Sequence, residues 1–214
     1  MRETALAALH AQRTLRWTEV NGMRVPGSFT PEGDVRDLAI VDLSCFTKTG
    51  LKGPHAAGWL AEQGITLPPR ANSWAGLSPS GLIARLAETE FLLEDGFAPG
   101  GAARIAGLID HAPPQVYAVA RHDTALALVG RRINEVLLQT CSVNFAAIDP
   151  AQGTLVLTSM AGVPVLIVPQ KRGDEPMVRI WADPTFAPYL WQTLLEIVQE
   201  HGGGPAGLAS LFPR

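Results

Sequence analysis

Apolar residues along this chain recur in short alternating runs, broken by glycine and proline and separated by stretches of helical spacing. That is the pattern of a mixed α+β protein. At the start, Leu6 and Leu9 lie one turn apart within residues 3–12, which predicts a short helix. Asn21-Gly22 sits between the runs 17–20 and 23–25 and predicts a two-residue hairpin. Residues 26–37 have the composition of a loop. Runs 38–43 and 47–51 read as strands. Gly53-Pro54 opens a helix carrying Ala56, Ala57, Trp59 and Leu60, and Gly64 ends it. Residues 66–81, rich in Pro, Ser and Gly, read as a connection. A strand pair follows at 82–86 and 90–94, then a helix over 102–109 that stops before Pro113-Pro114.

The same order then returns. Runs 116–120 and 124–129 read as strands, Gly130 precedes a helix over 131–140, and 155–159 with 163–168 form a hairpin around Ala161-Gly162. After a turn at 171–176, residues 177–182 form another strand. Asp183-Pro184 pairs an N-cap residue with proline at the first helical position. The helix it opens carries Phe186, Leu190, Leu194 and Ile197 on one face, widened by Trp191 and Val198. Gly202–Gly204 ends it, and the last ten residues read as a loose tail. Leu51-Lys52-Gly53 and Leu128-Val129-Gly130 open equivalent units 77 residues apart. The expected architecture is therefore two ferredoxin-like βαββα halves packed into one α+β body. The expected organisation is a helix, hairpin and loop over 1–37, a duplicated domain over 38–202 and a tail over 203–214.

Composition narrows the partners. The chain has 214 residues, 47% apolar and only 17% charged, with a formal net charge of −3. No basic stripe marks a nucleic-acid site. No apolar stretch is long enough for a membrane span, since 154–168 is interrupted by Gly162 and Pro164. Residues 1–15 carry Arg2, Glu3, His10 and Arg13 and so lack an uninterrupted signal-peptide core. Cys45 and Cys141 form no metal-ligand or disulfide pattern, which points to a reducing cytoplasm. With so few charges, either the core is large or a partner covers apolar surface. Trp59, Trp74, Trp181 and Trp191 suit both roles, core more than interface.

Catalytic patterns are sparse. No glycine fingerprint for a nucleotide and no nucleophile elbow is present. None of His10, His55, His111, His122 and His201 is spaced to share a metal with another His or Cys. Gly100-Gly101 opens a helix whose free N–H groups could hold an anion, although a plain turn explains it as well. Glu88, Glu90, Glu94 and Asp95 form the one acidic cluster, which a solvated hairpin edge accounts for.

Several segments resemble a known family. Asp42-Leu43-Ser44, followed by Lys48–Lys52 and Gly53-Pro54 at a helix start, resembles the folate-binding aminomethyltransferase (glycine-cleavage T-protein) superfamily, as does Ala87-Glu88-Thr89-Glu90-Phe91-Leu92-Leu93. The second half is similar to the gamma-type subunits of heterotetrameric sarcosine oxidases. The matching segments are Leu128-Val129-Gly130, Cys141-Ser142-Val143-Asn144-Phe145, Thr158-Ser159-Met160-Ala161-Gly162-Val163-Pro164-Val165-Leu166 and Asp183-Pro184-Thr185-Phe186-Ala187-Pro188-Tyr189-Leu190-Trp191. The resemblance implies a T-protein-like fold and a non-catalytic role in a flavin-dependent complex that demethylates an N-methyl amine. It implies alpha-, beta- and delta-type partner subunits that hold FAD, FMN, NAD and zinc. The alternative is a stand-alone tetrahydrofolate-binding, one-carbon-transfer protein. For that alternative a cavity between the halves, with Trp74, Glu88 and Tyr117 as candidate lining residues, would hold the folate. The active-site Asp of the transferases has no assigned counterpart, so no catalytic residue is carried over.

Overall fold

The computed structural model describes residues 2–78 and 80–212. The chain folds as two compact units. One combines the residues up to Cys45 with Asp123–Gln152 and the residues from Val156 onward. The other combines Phe46–His122 with Gly153–Leu155.

The chain begins with β1 (Arg2–Glu3) and a single helical turn, α1 (Ala7–His10). This is shorter than the helix expected over 3–12. Arg2 and Glu3 are instead drawn into a sheet, where β1 runs parallel to the segment Met23–Phe29. The hairpin of β2 (Thr14–Val20) and β3 (Met23–Phe29) turns at Asn21 (φ 50°) and Gly22 (φ 72°), the paired left-handed residues that a tight hairpin requires. β3 continues through Pro26-Gly27-Ser28-Phe29, where the composition suggested a loop. Val25 and Phe29 are buried there and hold the strand in place. β4 (Ala39–Asp42) follows.

The second unit contains β5 (Lys48–Lys52), α2 (Ala56–Glu62), β6 (Ser73–Leu77), β7 (Gly81–Ala87), β8 (Glu90–Glu94), α3 (Gly101–Leu108) and β9 (Tyr117–Val119). Its strands lie in the order β6-β7-β8-β5-β9. Leu51, Ile83, Phe91 and Leu93 pack on Trp59 and Leu60 of α2 and Ile105 of α3. The chain then returns to the first unit with β10 (Thr124–Val129), α4 (Ile133–Thr140), β11 (Val156–Met160), β12 (Val163–Arg172), β13 (Glu175–Ala182), α5 (Ala187–Glu200), β14 (Gly204–Pro205) and α6 (Leu208–Leu211). The order here is β11-β12-β13-β10-β4-β14. Ile40, Leu128 and Ile180 form its core with Val136 of α4 and Leu190 and Leu194 of α5. Asp183 caps the entry to α5 as its sequence predicts, accepting from Thr185 N at 2.8 Å. Phe186 precedes the helix and is 43% exposed, so the buried stripe runs through Leu190, Trp191, Leu194 and Val198.

The recurrence seen in the sequence is a recurrence of elements. β5-α2-β6-β7-β8-α3 and β10-α4-β11-β12-β13-α5 share one order and one strand arrangement. Each has three strands between its helices, one more than the expected βαββα half. In the first repeat that strand is β6, an edge strand within the segment read as a connection, where only Trp74 has strong strand propensity. The fifth strand of each sheet is exchanged. β4 directly precedes β5 in the chain but pairs with β10, and β9 directly precedes β10 but pairs with β5.

Gly53 and Gly130 directly follow β5 and β10, the strands that pair with the exchanged neighbours. Gly53 N–H donates to Thr89 O (2.9 Å) and Gly130 N–H to Pro176 O (3.0 Å), the same relation in each repeat. Their φ angles are 130° and 114°. A methyl at Gly53 would overlap the carbonyl of Gln115, which leads into β9. One at Gly130 would overlap the carbonyl of Asp37, which leads into β4.

The tail differs from its sequence reading. β14 pairs in parallel with β4, and Ala206, Leu208 and Leu211 are buried. Glu32 Oε1 accepts from Gly207 N (2.7 Å) and Ser210 Oγ (2.6 Å). These contacts cross about 175 positions in sequence, so local composition could not show them. No helix among the described residues is long and apolar enough to cross a membrane.

Substitution separates strain from helix propensity. Gly130→Ala should lose about 2 kcal/mol or more, because the methyl meets backbone and the φ is unfavourable. Gly58→Ala, on an open face of α2 with nothing near the added carbon, should gain about 0.5–1 kcal/mol. Urea denaturation of both variants checks this, and equal effects would refute it.

Candidate functional site

The most enclosed polar constellation lies in the first unit, where β4 ends. Asp42 is 2% exposed. Its Oδ1 accepts from Ser44 N at 2.9 Å, a local turn that explains the Asp-x-Ser spacing. Its Oδ2 accepts from Thr4 Oγ1 at 2.7 Å and from His10 Nε2 at 3.0 Å. An ionised carboxylate only accepts, so His10 Nε2 carries the proton. The His10 ring, 1% exposed, stands edge-on to Trp191 (4.7 Å between centroids) and Phe29 (5.5 Å). Burial pushes the Asp42 carboxyl upward. The hydrogen bond and charge of His10, with the bonds from Ser44, outweigh it and hold Asp42 below its ordinary value.

Asp42 stood out in the sequence only as part of a motif, and His10 did not stand out at all. The pair is separated by 32 positions and joins a helical turn to a strand end, so no local spacing signals it. Beside it lies a cavity of about 160 Å³, walled by His10, Phe29, Trp191 and Leu195 and rimmed by Arg13 and Glu196.

The three sequence candidates all lie in the second unit, and the fold does not gather them. Trp74 is on edge strand β6, half-buried, with Nε1 enclosed and unpartnered. Tyr117 is on β9 at the opposite edge, 54% exposed. Four strand spacings separate those edges, about 19 Å. Glu88 is in the β7–β8 turn, where its exposed carboxylate accepts from Arg85 Nη2 at 2.8 Å. The folded positions thus supply no common pocket wall within this unit.

The acidic cluster divides by role. Asp95 is 1% exposed and accepts from Gly100 N, Ala102 N and Ala103 N, each at 2.8 Å. A side chain of the protein therefore fills the anion position at the start of α3. Glu90 pairs with Arg121 at 2.8 Å, and Glu94 lies 4.0 Å from Lys48 in the interior. Cys141 Sγ is 3.8 Å from Thr158 Oγ1, and both cysteines are buried and outside any disulfide. Among the described residues, no group of three or more His, Cys, Asp or Glu is placed to hold a metal.

The Asp42 pair sets two expectations. Asp42→Ala leaves His10 and Thr4 buried without their acceptor and should cost about 3–5 kcal/mol in urea unfolding. The folded carboxyl titrates below the unfolded one, whose value is about 3.9. Its contribution is therefore complete above that pH and fades as pH falls through the lower folded value. Asp42→Asn should flatten the stability profile in that acid range. A profile parallel to the wild type would contradict this assignment.

Comparison with known proteins places this geometry in a family of folds. No family model matches the chain. It is 25% identical to an aminomethyltransferase of Saccharopolyspora erythraea over 226 aligned positions, covering 97% of this chain and 61% of that protein. Among solved structures, it is similar to glycine cleavage system aminomethyltransferase T from Bartonella henselae. The TM-score is 0.74 at 17% identity, with 98% of this chain and 60% of that one covered. It is also similar to a chain of heterotetrameric sarcosine oxidase from Corynebacterium sp. U-96, solved in complex with pyrrole 2-carboxylate. There the TM-score is 0.65 at 22% identity, with 95% of this chain and 97% of that one covered. The chain thus spans about 60% of the length of the aminomethyltransferases it matches. Its fold is the α+β fold of glycine-cleavage aminomethyltransferase T, shared with a chain of heterotetrameric sarcosine oxidase, as its sequence motifs implied.

Proposed function

We propose that this chain is a non-catalytic, gamma-type subunit of a multisubunit, flavin-dependent complex that demethylates an N-methyl amine in the manner of sarcosine oxidase. One observation carries the reading. The match to the sarcosine oxidase chain covers 95% of this chain and 97% of that one at 22% identity. The sequence motifs of the second half point the same way. In this reading alpha-, beta- and delta-type subunits carry FAD, FMN, NAD and zinc, and the complex is cytoplasmic. The first unit supplies apolar surface of the kind a partner covers, including Leu138 (72% exposed) and Leu157 (56%). The repeated strand–helix order supports a duplicated body of two ferredoxin-like halves, each enlarged by one strand.

A second reading is a stand-alone tetrahydrofolate-binding, one-carbon-transfer protein. The sequence similarity to an aminomethyltransferase over 97% of this chain favours it. Within the second unit, Trp74 and Tyr117 lie on opposite sheet edges and Glu88 in the β7–β8 turn.

Affinity capture of the tagged chain from its native cells distinguishes the two. The subunit reading predicts co-elution with larger subunits whose fraction shows flavin absorption. Elution free of any flavoprotein, together with calorimetric binding of tetrahydrofolate, would overturn it in favour of the second reading.

A further inference from the structure

Edge strands offer unpaired backbone groups to any other strand, so proteins shorten, charge, bend or cover them. Three sheets give six edges here, two apiece, and five of the six are treated in one of those ways. β1 and β14 have two residues each, and β9 has three. β2 exposes Arg16 and Glu19 and breaks register at Arg16. The free side of β6 is covered by the chain at Gly153 and Thr154, where Trp74 N donates to Gly153 O at 2.7 Å. β11 is the exception. Its five residues, Val156–Met160, contain no charge and no proline, and they pair with β12 without a break in register. Among the described residues, β12 is the only strand paired with β11, and residues 156–160 make no other backbone bond.

The side chains of β11 indicate what fits beside it. Thr158 Oγ1 lies 3.8 Å from Cys141 Sγ at the end of α4, so Thr158 faces the helices and Leu157 faces the opposite side of the sheet. On that side Trp181, Leu166 and Leu157 form a cross-strand row, in register from β13 through β12 to β11. Trp181 and Leu166 are buried, whereas Leu157 at the edge is 56% exposed. The row stops where one more strand would set an apolar side chain against Leu157. Area argues against a second copy of this chain as that strand. The edge is only about 17 Å long. Two such edges alone fall short of the roughly 1,000 Å² that a stable interface between folded bodies needs. An extended segment is held instead residue by residue, through main-chain bonds. We propose that β11 receives such a segment from a larger subunit of the complex, uncharged and with alternate residues apolar, as an added strand. The docking rests on the subunit role proposed above and assigns that role a surface and a mode of attachment.

The test compares the free chain with the complex captured on the tagged chain from native cells. Hydrogen exchange of the Val156–Met160 amides, read by mass spectrometry, should slow by about tenfold or more in the complex. Leu157→Lys changes an exposed side chain, so its thermal unfolding should match the wild type, while flavoprotein recovery should fall by about tenfold or more. Leu15→Lys, on the charged edge strand β2 and 72% exposed in the wild type, should leave recovery unchanged. Equal recovery with both variants, and amides that exchange as fast in the complex as in the free chain, would overturn the docking and leave the subunit role standing. Protection already present in the free chain and growing with its concentration would assign the edge to a second copy and also overturn it. Capture of no flavoprotein by the wild-type chain would overturn the subunit role, and the docking with it.

Discussion

The architecture depends on two close approaches of backbone to backbone, at Gly53 and Gly130. Each glycine follows the strand that receives the exchanged neighbour, and each lies against the carbonyl that leads into that neighbour. The left-handed φ and the absent Cβ are both required, since a side chain would occupy the space of Gln115 O or Asp37 O. Exchange of β4 and β9 follows from that clearance. Once the fifth strand is seated, the five-strand order and the helices packed on it are common to both repeats.

Asp42 fixes the other end of β4. While Gly130 admits the start of the strand, the Asp42 carboxylate ties its end to Thr4 and His10, and so to the N-terminal segment. The tail reinforces the same strand from its free edge, through the parallel pairing of β14 and the bond from Ala206 N to Ile40 O at 2.9 Å. Both ends of the sequence thus converge on four residues of β4. The interaction that does so is buried, and its strength rests on the complete set of donors around one carboxylate.

Much of this was legible in the sequence where the signal is local. The Asn21-Gly22 turn, the Asp183-Pro184 cap and the twin Leu-x-Gly strand ends are short motifs whose backbone needs only certain residues, and the structure places each in that role. Tertiary override accounts for most of the rest. β6 and the far half of β3 have loop composition and become strands because neighbouring strands supply their hydrogen bonds. The tail has no periodicity, and Glu32 orders it from far away in sequence. His10 illustrates the limit best. A lone histidine in a short helical run has no local feature that distinguishes it, and its partner lies on a distant strand. Trp74, Glu88 and Tyr117 show the converse, since residue type suggested a site while sheet order places two of them on opposite edges.

Fold and function meet at the question of whether this chain makes or breaks a bond. Its clearest anion position is filled by Asp95, and a second buried acid, Asp42, is engaged in bonds to Thr4, His10 and Ser44. Such groups hold a body together. The most direct measurement is turnover of an N-methyl amine by the purified chain alone, following oxygen uptake and formaldehyde with tetrahydrofolate present. The account predicts no turnover above buffer, whereas sustained turnover by the chain alone would contradict it.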